Sequence, residues 1–483
     1  MKKLLFLIGI LSSGLYGASI DHIQTYSPDY LSNQAQTGMI DEVSPYYNPA
    51  GLSRLDKGKY VHLGLQLANG HEKMSYKGKE HKAHLTQLIP NVSLTSVDDN
   101  GAYFFTFGGL AGGGKLEYDG VSGIDVLSDL AQFKPLGVYD KGSTLTGKNL
   151  YEQATLGRAF TINDQLSVSV AGRIVHGSRN LSGTLNIGTN PTTAYKQAKA
   201  RQVAQEVSKA VDAATQGSGL SAAQIAAIKQ QKTTQALTLL QTKMNALQQN
   251  GLSGDLDSKR EAWGYGFQLG VNYKVNDKLN LAARYDSRIK MNFKAKGSEN
   301  QLQTADIIGS NIGLSTFYPQ YTINSKIRRD LPAILSVGAS YKVTDNYLVS
   351  TSANYYFNRH AKMDRVTTFG GHEHGRDYKN GWEIALGNEY KLNDKFTVIG
   401  SVNYARTGAK NSSFNDTEYA LNSVTLGAGL RYKYDDTLSI TGSVAHFIYE
   451  KEDGNFKEKY KVNDNQKYHK EITAFGLSVT KKF

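Results

Sequence analysis

Six short Asx-containing segments punctuate the chain: Asp98-Asp99-Asn100, Asn163-Asp164, Asn276-Asp277, Thr344-Asp345-Asn346, Asn393-Asp394 and Asp435-Asp436. Each lies between two runs in which apolar and polar residues alternate. Asn and Asp close tight turns because their side chains accept hydrogen bonds from backbone a few residues on, so each segment reads as a hairpin joining antiparallel strands. Long, polar stretches fill the intervals between hairpins. Short turns on one side, long loops on the other and both chain ends on the short-turn side describe an all-β, up-and-down antiparallel barrel of the transmembrane type. The six turns imply seven loops and about fourteen strands.

Strand parity supports this reading. From Trp263 to Lys274 one face carries Trp263, Tyr265, Phe267, Leu269, Val271 and Tyr273, and the other Gly264, Gly266, Gln268, Gly270, Asn272 and Lys274. Aromatics at both ends of the apolar face belong at the two membrane interfaces. Residues 333–343 and 424–432 repeat the pattern. The expected strands are 58–68, 87–97, 101–111, 151–161, 165–179, 261–275, 278–289, 332–343, 346–358, 380–392, 395–407, 420–433, 436–449 and 470–483. The loops 69–86, 112–150, 180–260, 290–331, 359–379, 408–419 and 450–469 then face the cell exterior. A soluble β-sandwich is the alternative, but strands of about nine to twelve residues are long enough to cross a bilayer when tilted. The final Phe483 on an alternating strand looks like the signal read by the barrel assembly machinery.

Composition excludes other classes. Over 483 residues the hydrophobic fraction is 40% and the mean hydropathy −0.43, which rules out a helical membrane protein but not a barrel that hides its lipid face in alternation. Thirty Tyr, 48 Gly and 8 Pro suit strands with many loops. Cys is absent, compatible with an oxidising compartment. The net charge of +12 is scattered and forms no stripe, so nucleic acid is not an expected partner. Lys2-Lys3, the apolar run from Leu4 to Leu11 and small residues ending near Gly17-Ala18 read as a secretory signal peptide over 1–18. Residues 19–57 then precede the first strand as an N-terminal hatch, and 58–483 form the barrel.

The hatch contains Pro45-Tyr46-Tyr47-Asn48-Pro49-Ala50-Gly51-Leu52, a turn-rich stretch directly before strand one. Here the chain resembles the long-chain fatty acid transporter family of outer-membrane proteins, the FadL/TodX group. Further points of similarity are Gly264-Tyr265-Gly266, Tyr285-Asp286-Ser287, Asp330-Leu331-Pro332-Ala333, and Trp382 with Ala385-Leu386-Gly387. The resemblance implies a fourteen-strand barrel plugged by a hatch, with Asn48, Pro49, Ala50 and Gly51 in its gating element. It also implies an external capture groove, a lumen site, a lateral opening beside a kinked third strand, and passive diffusion driven by rearrangement of the hatch.

The residues add their own indications. In 103–107, Tyr-Phe-Phe-Thr-Phe breaks the alternation, and Gly108, Gly109, Gly112 and Gly113 follow. Glycine permits a bulge or break, so Phe105, Phe107 and these glycines are placed at the lateral opening that the resemblance implies, the alternative being that the glycines only begin loop 112–150. Residues 192–216 and 221–249 read as a helical hairpin in an external insertion over 190–250, either packed together or edging a ligand groove. A second capture candidate is loop 290–331, with Ile307, Ile308, Ile312, Leu314, Phe317 and Tyr318. A carboxylate removed from water needs a cation or several donors. Parity points Arg173, Arg179, Arg284 and Arg288 into the lumen, and the resemblance sets Arg179 near a ligand head group. A structural charge network is the competing role for any one arginine.

His372-Glu373-His374 reads as a solvated loop and not a metal site, and no Ser or His stands in a catalytic setting, so neither cofactor nor enzyme activity is expected. The reading is a monomeric, multi-pass barrel of the bacterial outer membrane, set among outer-membrane lipid and lipopolysaccharide, that takes up hydrophobic small molecules, foremost long-chain fatty acids. Aromatic hydrocarbons are the next substrate class. A surface adhesin or structural porin-like barrel is the remaining alternative, against which the hatch argues.

Overall fold

The computed structural model describes residues 26–131, 133–300, 315, 319–367, 373–374, 378–414 and 419–483. The expected signal peptide, Phe317 with its apolar neighbours in 301–314, and His372 lie outside them.

The wall is a closed antiparallel barrel of 14 strands. They are β1 (Gly58–Tyr76), β2 (Lys79–Asp98), β3 (Gly101–Tyr118), β4 (Thr144–Thr161), β5 (Leu166–Gly188), β6 (Leu252–Lys274) and β7 (Leu279–Asp286). The second half comprises β8 (Ile334–Thr344), β9 (Tyr347–Tyr356), β10 (Gly381–Lys391), β11 (Phe396–Arg406), β12 (Ser423–Lys433), β13 (Leu438–Tyr449) and β14 (Lys467–Lys482). β7 resumes after a break as Asn292–Asn300, which pairs with β6 and with the short segment Lys326–Arg328 leading into β8. Pairing of β1 with β14, from Tyr60↔Lys482 to Ser75↔Lys467, closes the sheet.

The six Asx segments form the short turns. Asn163 Oδ1 accepts from the backbone N–H of Gln165 at 2.9 Å and of Leu166 at 2.8 Å. Asn276, Asn393 and Asp435 hold their turns in the same way. Alternation sorts the faces: Trp263, Tyr265 and Leu269 are 63%, 69% and 46% exposed, whereas Gln268 and Asn272 between them are buried.

The outer ends differ from the sequence reading. Residues 69–86 are no loop; they extend β1 and β2 into a hairpin closed by Lys77-Gly78, both at positive φ. Strands likewise claim 112–118, 144–150, 180–188, 252–260 and 292–300 from the expected loops. Beyond the bilayer the outward face meets water and turns polar, so period-two alternation loses the greasy half that reveals it. Helices α1 (Asp29–Ser32) and α2 (Ser44–Tyr47) lie in the N-terminal segment, and α3 (Ser122–Leu127) follows β3. Residues 192–216 and 221–249 fold as α4 (Thr193–Thr215) and α5 (Ala222–Asn250), with Ser221 and Gln224 forming a capping box on α5. Met244 and Leu247 anchor the base of this hairpin, while Leu239 is 57% exposed.

Leu269 sits midway along the lipid-facing row of β6. Leu269→Arg is expected to destabilise the barrel by about 2–4 kcal/mol, as an arginine at the bilayer midplane does. The check is the shift in denaturant midpoint in phospholipid vesicles, set beside the lumen-facing control Gln268→Arg.

Candidate functional site

Residues 26–57 run inside the barrel, tied to the wall by small inward-facing polar side chains. Ser443 Oγ donates to Pro28 O at 2.7 Å, Ser401 Oγ to Ser32 O at 2.7 Å and Ser340 Oγ to Gly38 O at 2.8 Å. Close approach of backbones demands glycine here: a Cβ on Gly38 would lie 2.3 Å from the Ala339 carbonyl carbon. The Asn48 side chain knots the turn. Its Oδ1 accepts from Gly51 N at 3.2 Å, and its Nδ2 donates to Met39 O at 2.9 Å and to Asn272 Oδ1 at 2.8 Å on β6. Pro49 and Ala50 open the 3-10 helix Pro49–Arg54, and Ser167 Oγ on β5 donates to Ala50 O at 2.7 Å.

Four tyrosines of this segment, Tyr26, Tyr30, Tyr46 and Tyr47, pack with ring centroids 5.7–6.3 Å apart. They form one buried apolar cluster with Leu110 and Ala111 of β3, Tyr151, Met291 and Phe293. The sequence reading missed this cluster, because the tyrosines meet through the fold of the segment and Tyr26 lies outside the short helix that holds Tyr30.

The predicted arginines separate into three places. Arg173 and Arg284 meet in the lumen. Arg173 donates from Nε and Nη2 to Gln153 Oε1 at 2.9 and 2.7 Å, and its Nη1 lies 3.4 Å from Asp286 Oδ1. Arg284 Nε lies 3.1 Å from Asp286 Oδ2, its Nη1 donates to the Tyr46 carbonyl and its Nη2 to Ser336 Oγ at 3.3 Å. Two buried guanidiniums thus flank one buried carboxylate against the tyrosine cluster, with Arg284 5.9 Å from the Tyr26 ring centre. Glu383, also buried, accepts from Tyr356 Oη at 2.8 Å and Asn354 Nδ2 at 2.7 Å. Arg179 is inward but about 20 Å further along β5 at some 3.3 Å per residue, directly opposite Arg260. Arg288 does not point into the lumen. Its side chain is 43% exposed and donates to His360 O at 2.9 Å, because the strand breaks after Asp286 and both Ser287 and Ile289 turn inward.

The third strand carries a break in the wall. Leu85↔Leu116 and Asn91↔Gly108 are in register between β2 and β3, and the residues between them are unpaired across that interface. On its other side β3 shifts register against β4 at Gly109/Ala111 and again at Ala111/Gly114. Gly112 and Gly114 stand at φ +124° and +71°, conformations glycine adopts without strain. Gly109 and Gly113 lie within the same irregular stretch. Alternation through 103–107 is kept: Tyr103 is exposed, Phe105 and Phe107 are partly exposed on the outer face, and inward Phe104 packs with Leu52 of the N-terminal segment.

Toward the periplasmic turns, a polar cavity of about 810 Å³ lies between the N-terminal segment and β10–β14, lined among others by Glu42, Arg54, Lys391, Arg431 and Lys482. Asp41 sits nearby, its Oδ1 accepting from Val43 N at 3.1 Å. Burial, with Glu42 next and Glu389 and Asp29 further off, pushes this carboxyl up to about 7, while Arg431 pulls the other way. A carboxyl raised in the docked state favours docking most at low pH, and that advantage is lost as pH rises through about 7. Protease protection of residues 26–57 should therefore weaken as pH rises from about 4 to about 7, the span between the ordinary and the raised carboxyl value, and Asp41→Asn should flatten the profile. Asp286→Ala, which strands two buried guanidiniums, is expected to cost about 3–5 kcal/mol in a chemical denaturation series.

Residues 141–483 match the family described as Outer membrane protein transport protein (OMPP1/FadL/TodX). The chain is 27% identical over 208 residues to a 47 kDa outer membrane protein of Pasteurella multocida, covering 41% of this chain and 46% of that one. It is 24% identical over 257 residues to outer membrane protein P1 of Haemophilus influenzae (51% and 52%). To the long-chain fatty acid transport protein of Escherichia coli O157:H7 it is 22% identical over 275 residues (56% and 58%). Each match thus spans about half the length of the relative. Among solved structures, a FadL homologue of Pseudomonas aeruginosa superposes with a TM-score of 0.64 at 15% identity, covering 95% of this chain and 99% of that one. The toluene transporter TodX of Pseudomonas putida gives 0.58 at 15% identity, covering 98% and 99%. With a closed barrel, a plugged lumen and a family match over most of its length, the chain belongs to the family described as Outer membrane protein transport protein (OMPP1/FadL/TodX).

Proposed function

We propose that this protein takes up long-chain fatty acids by passive diffusion, with a lumen site at Arg173 and Arg284 and a lateral exit between β2 and β3. One observation carries the reading: Leu110 and Ala111, at the break in β3, belong to the same buried cluster as the tyrosines of the N-terminal segment. An acyl chain among those rings has an apolar way to the wall. Its carboxylate leaves water only if donors replace hydration, and the paired guanidiniums above Asp286 supply them. Arg179, about 20 Å from this pair along β5, is assigned to an earlier stage of ligand passage. Asn48, Pro49, Ala50 and Gly51 form the gating turn, and Phe105, Phe107, Gly108, Gly109, Gly112 and Gly113 frame the exit. Ligand shifts the hatch only to the extent that it binds the rearranged state more tightly, so no energy source is needed.

A neutral aromatic hydrocarbon would use the same apolar path and ignore the arginines. Replacing both, as R173Q/R284Q, is expected to weaken oleate binding by about tenfold to a hundredfold, the worth of hydrogen bonds to a charged group, and to leave toluene binding unchanged. Equal effects on the two ligands, or a neutral hydrocarbon as the lipid copurifying by mass spectrometry, would sink the fatty-acid assignment. The exit has its own test. A Cβ on Gly114 would lie 3.2 Å from Gln87 Cβ, near the roughly 3.5–4.5 Å of a disulfide, and the native chain has no Cys to interfere. Gln87→Cys with Gly114→Cys should block uptake of labelled oleate when oxidised and restore it when reduced. Full uptake by the oxidised pair would remove the lateral exit.

A further inference from the structure

The outward face of β6 and β7, just outside the aromatic band, carries a cluster of lysines that neither the fold nor the transport reading uses. Trp263 and Tyr265 are the last large exposed aromatics on β6 before its external end. Four residues further out, Lys259 is exposed and stands directly opposite Lys296 of the resumed β7. In the next row Lys294 stands opposite Lys326, and Lys290 is exposed on the same face of β7. Carboxylates on this face are fewer: Glu261, 2.6 Å from Lys259 and opposite Lys294, with Asp257 and Asp255 further out, the last accepting from Thr184 Oγ1.

Like charges directly opposite across a strand pair oppose folding. Two such lysine rows side by side are therefore an arrangement that an anion would stabilise. Their height identifies the anion. Tryptophan in a barrel wall settles at headgroup level, and four residues of tilted strand rise roughly 10 Å beyond it. Lysine side chains at that height reach back to the polar layer of the outer leaflet, where lipid phosphates are found. Facing outward, the ammonium groups meet the lipid and not the lumen. We propose that this face binds the phosphate groups of a phosphorylated glycolipid of the outer leaflet, holding it beside the wall at β6–β8. The site is independent of which cargo passes through the lumen.

The test is native mass spectrometry of the full barrel in detergent, titrated with bisphosphorylated lipid A, the same lipid with its phosphates removed, and phosphatidylglycerol. The variant replaces Lys259, Lys294, Lys296 and Lys326 together by Gln, and a companion replaces them by Arg. Heat-modifiable migration confirms that both fold. Retention of the bisphosphorylated lipid is expected to fall about tenfold or more in the Gln variant, given the contribution of each basic residue near an anionic surface. It should recover in the Arg variant and be weak in all three proteins once phosphate is removed. Equal retention by wild type and Gln variant, undiminished binding of dephosphorylated lipid, or phosphatidylglycerol held as tightly as the glycolipid would each overturn the proposal.

Discussion

Within hydrocarbon no water is available to a backbone N–H or C=O, so a strand-built wall must pair every peptide group it exposes to lipid. That requirement is met by closing β1 onto β14, and the interruption between β2 and β3 departs from it. Pro90 has no N–H to leave unpaired, and the Gln87 side chain donates to the Leu88 carbonyl at 2.8 Å. Inward Ile89 and Leu110 are fully buried, so the gap is backed by protein and not by open water. The break is tolerated because of what lies behind it, and what lies behind it is the N-terminal segment.

That segment is held by polar contacts of modest strength. Serine and asparagine side chains of the wall reach its carbonyls one by one, each contact worth about 0.5–1.5 kcal/mol net. Many such bonds keep a plug in place, yet a few can be exchanged without unfolding the wall, which draws its stability from strand pairing. The buried Arg173–Asp286–Arg284 group is different in kind. Charges at that depth persist only when mutually paired and hydrogen-bonded, and through the Tyr46 carbonyl the group is attached to the plug itself.

The periplasmic half of the barrel was legible in residues, and the outer half was not. Asn163, Asn276, Asn393 and Asp435 each accept from two backbone N–H groups in the turn they close, a local chemistry that needs no tertiary partner. The Trp263–Tyr273 row could be assigned to lipid by parity alone. The hairpin at Lys77-Gly78 escaped notice because its outward residues face water, so nothing greasy marked them. Arg288 was placed inward by counting on from Arg284, and parity counting fails across a strand break that no residue type announced.

By itself the sequence determined the number of strands, their direction, the end of the barrel that carries the tight turns and the presence of a segment ahead of the wall. These follow from period-two alternation and from turn side chains, which act over a few residues. Only the tertiary structure decided that Arg173 and Arg284, 111 positions apart, share one carboxylate, that Arg179 lies elsewhere opposite Arg260, and that the break in β3 borders the tyrosines of the plug. Such meetings depend on barrel closure and strand register, which bring together residues whose separation along the chain carries no trace of their distance in space.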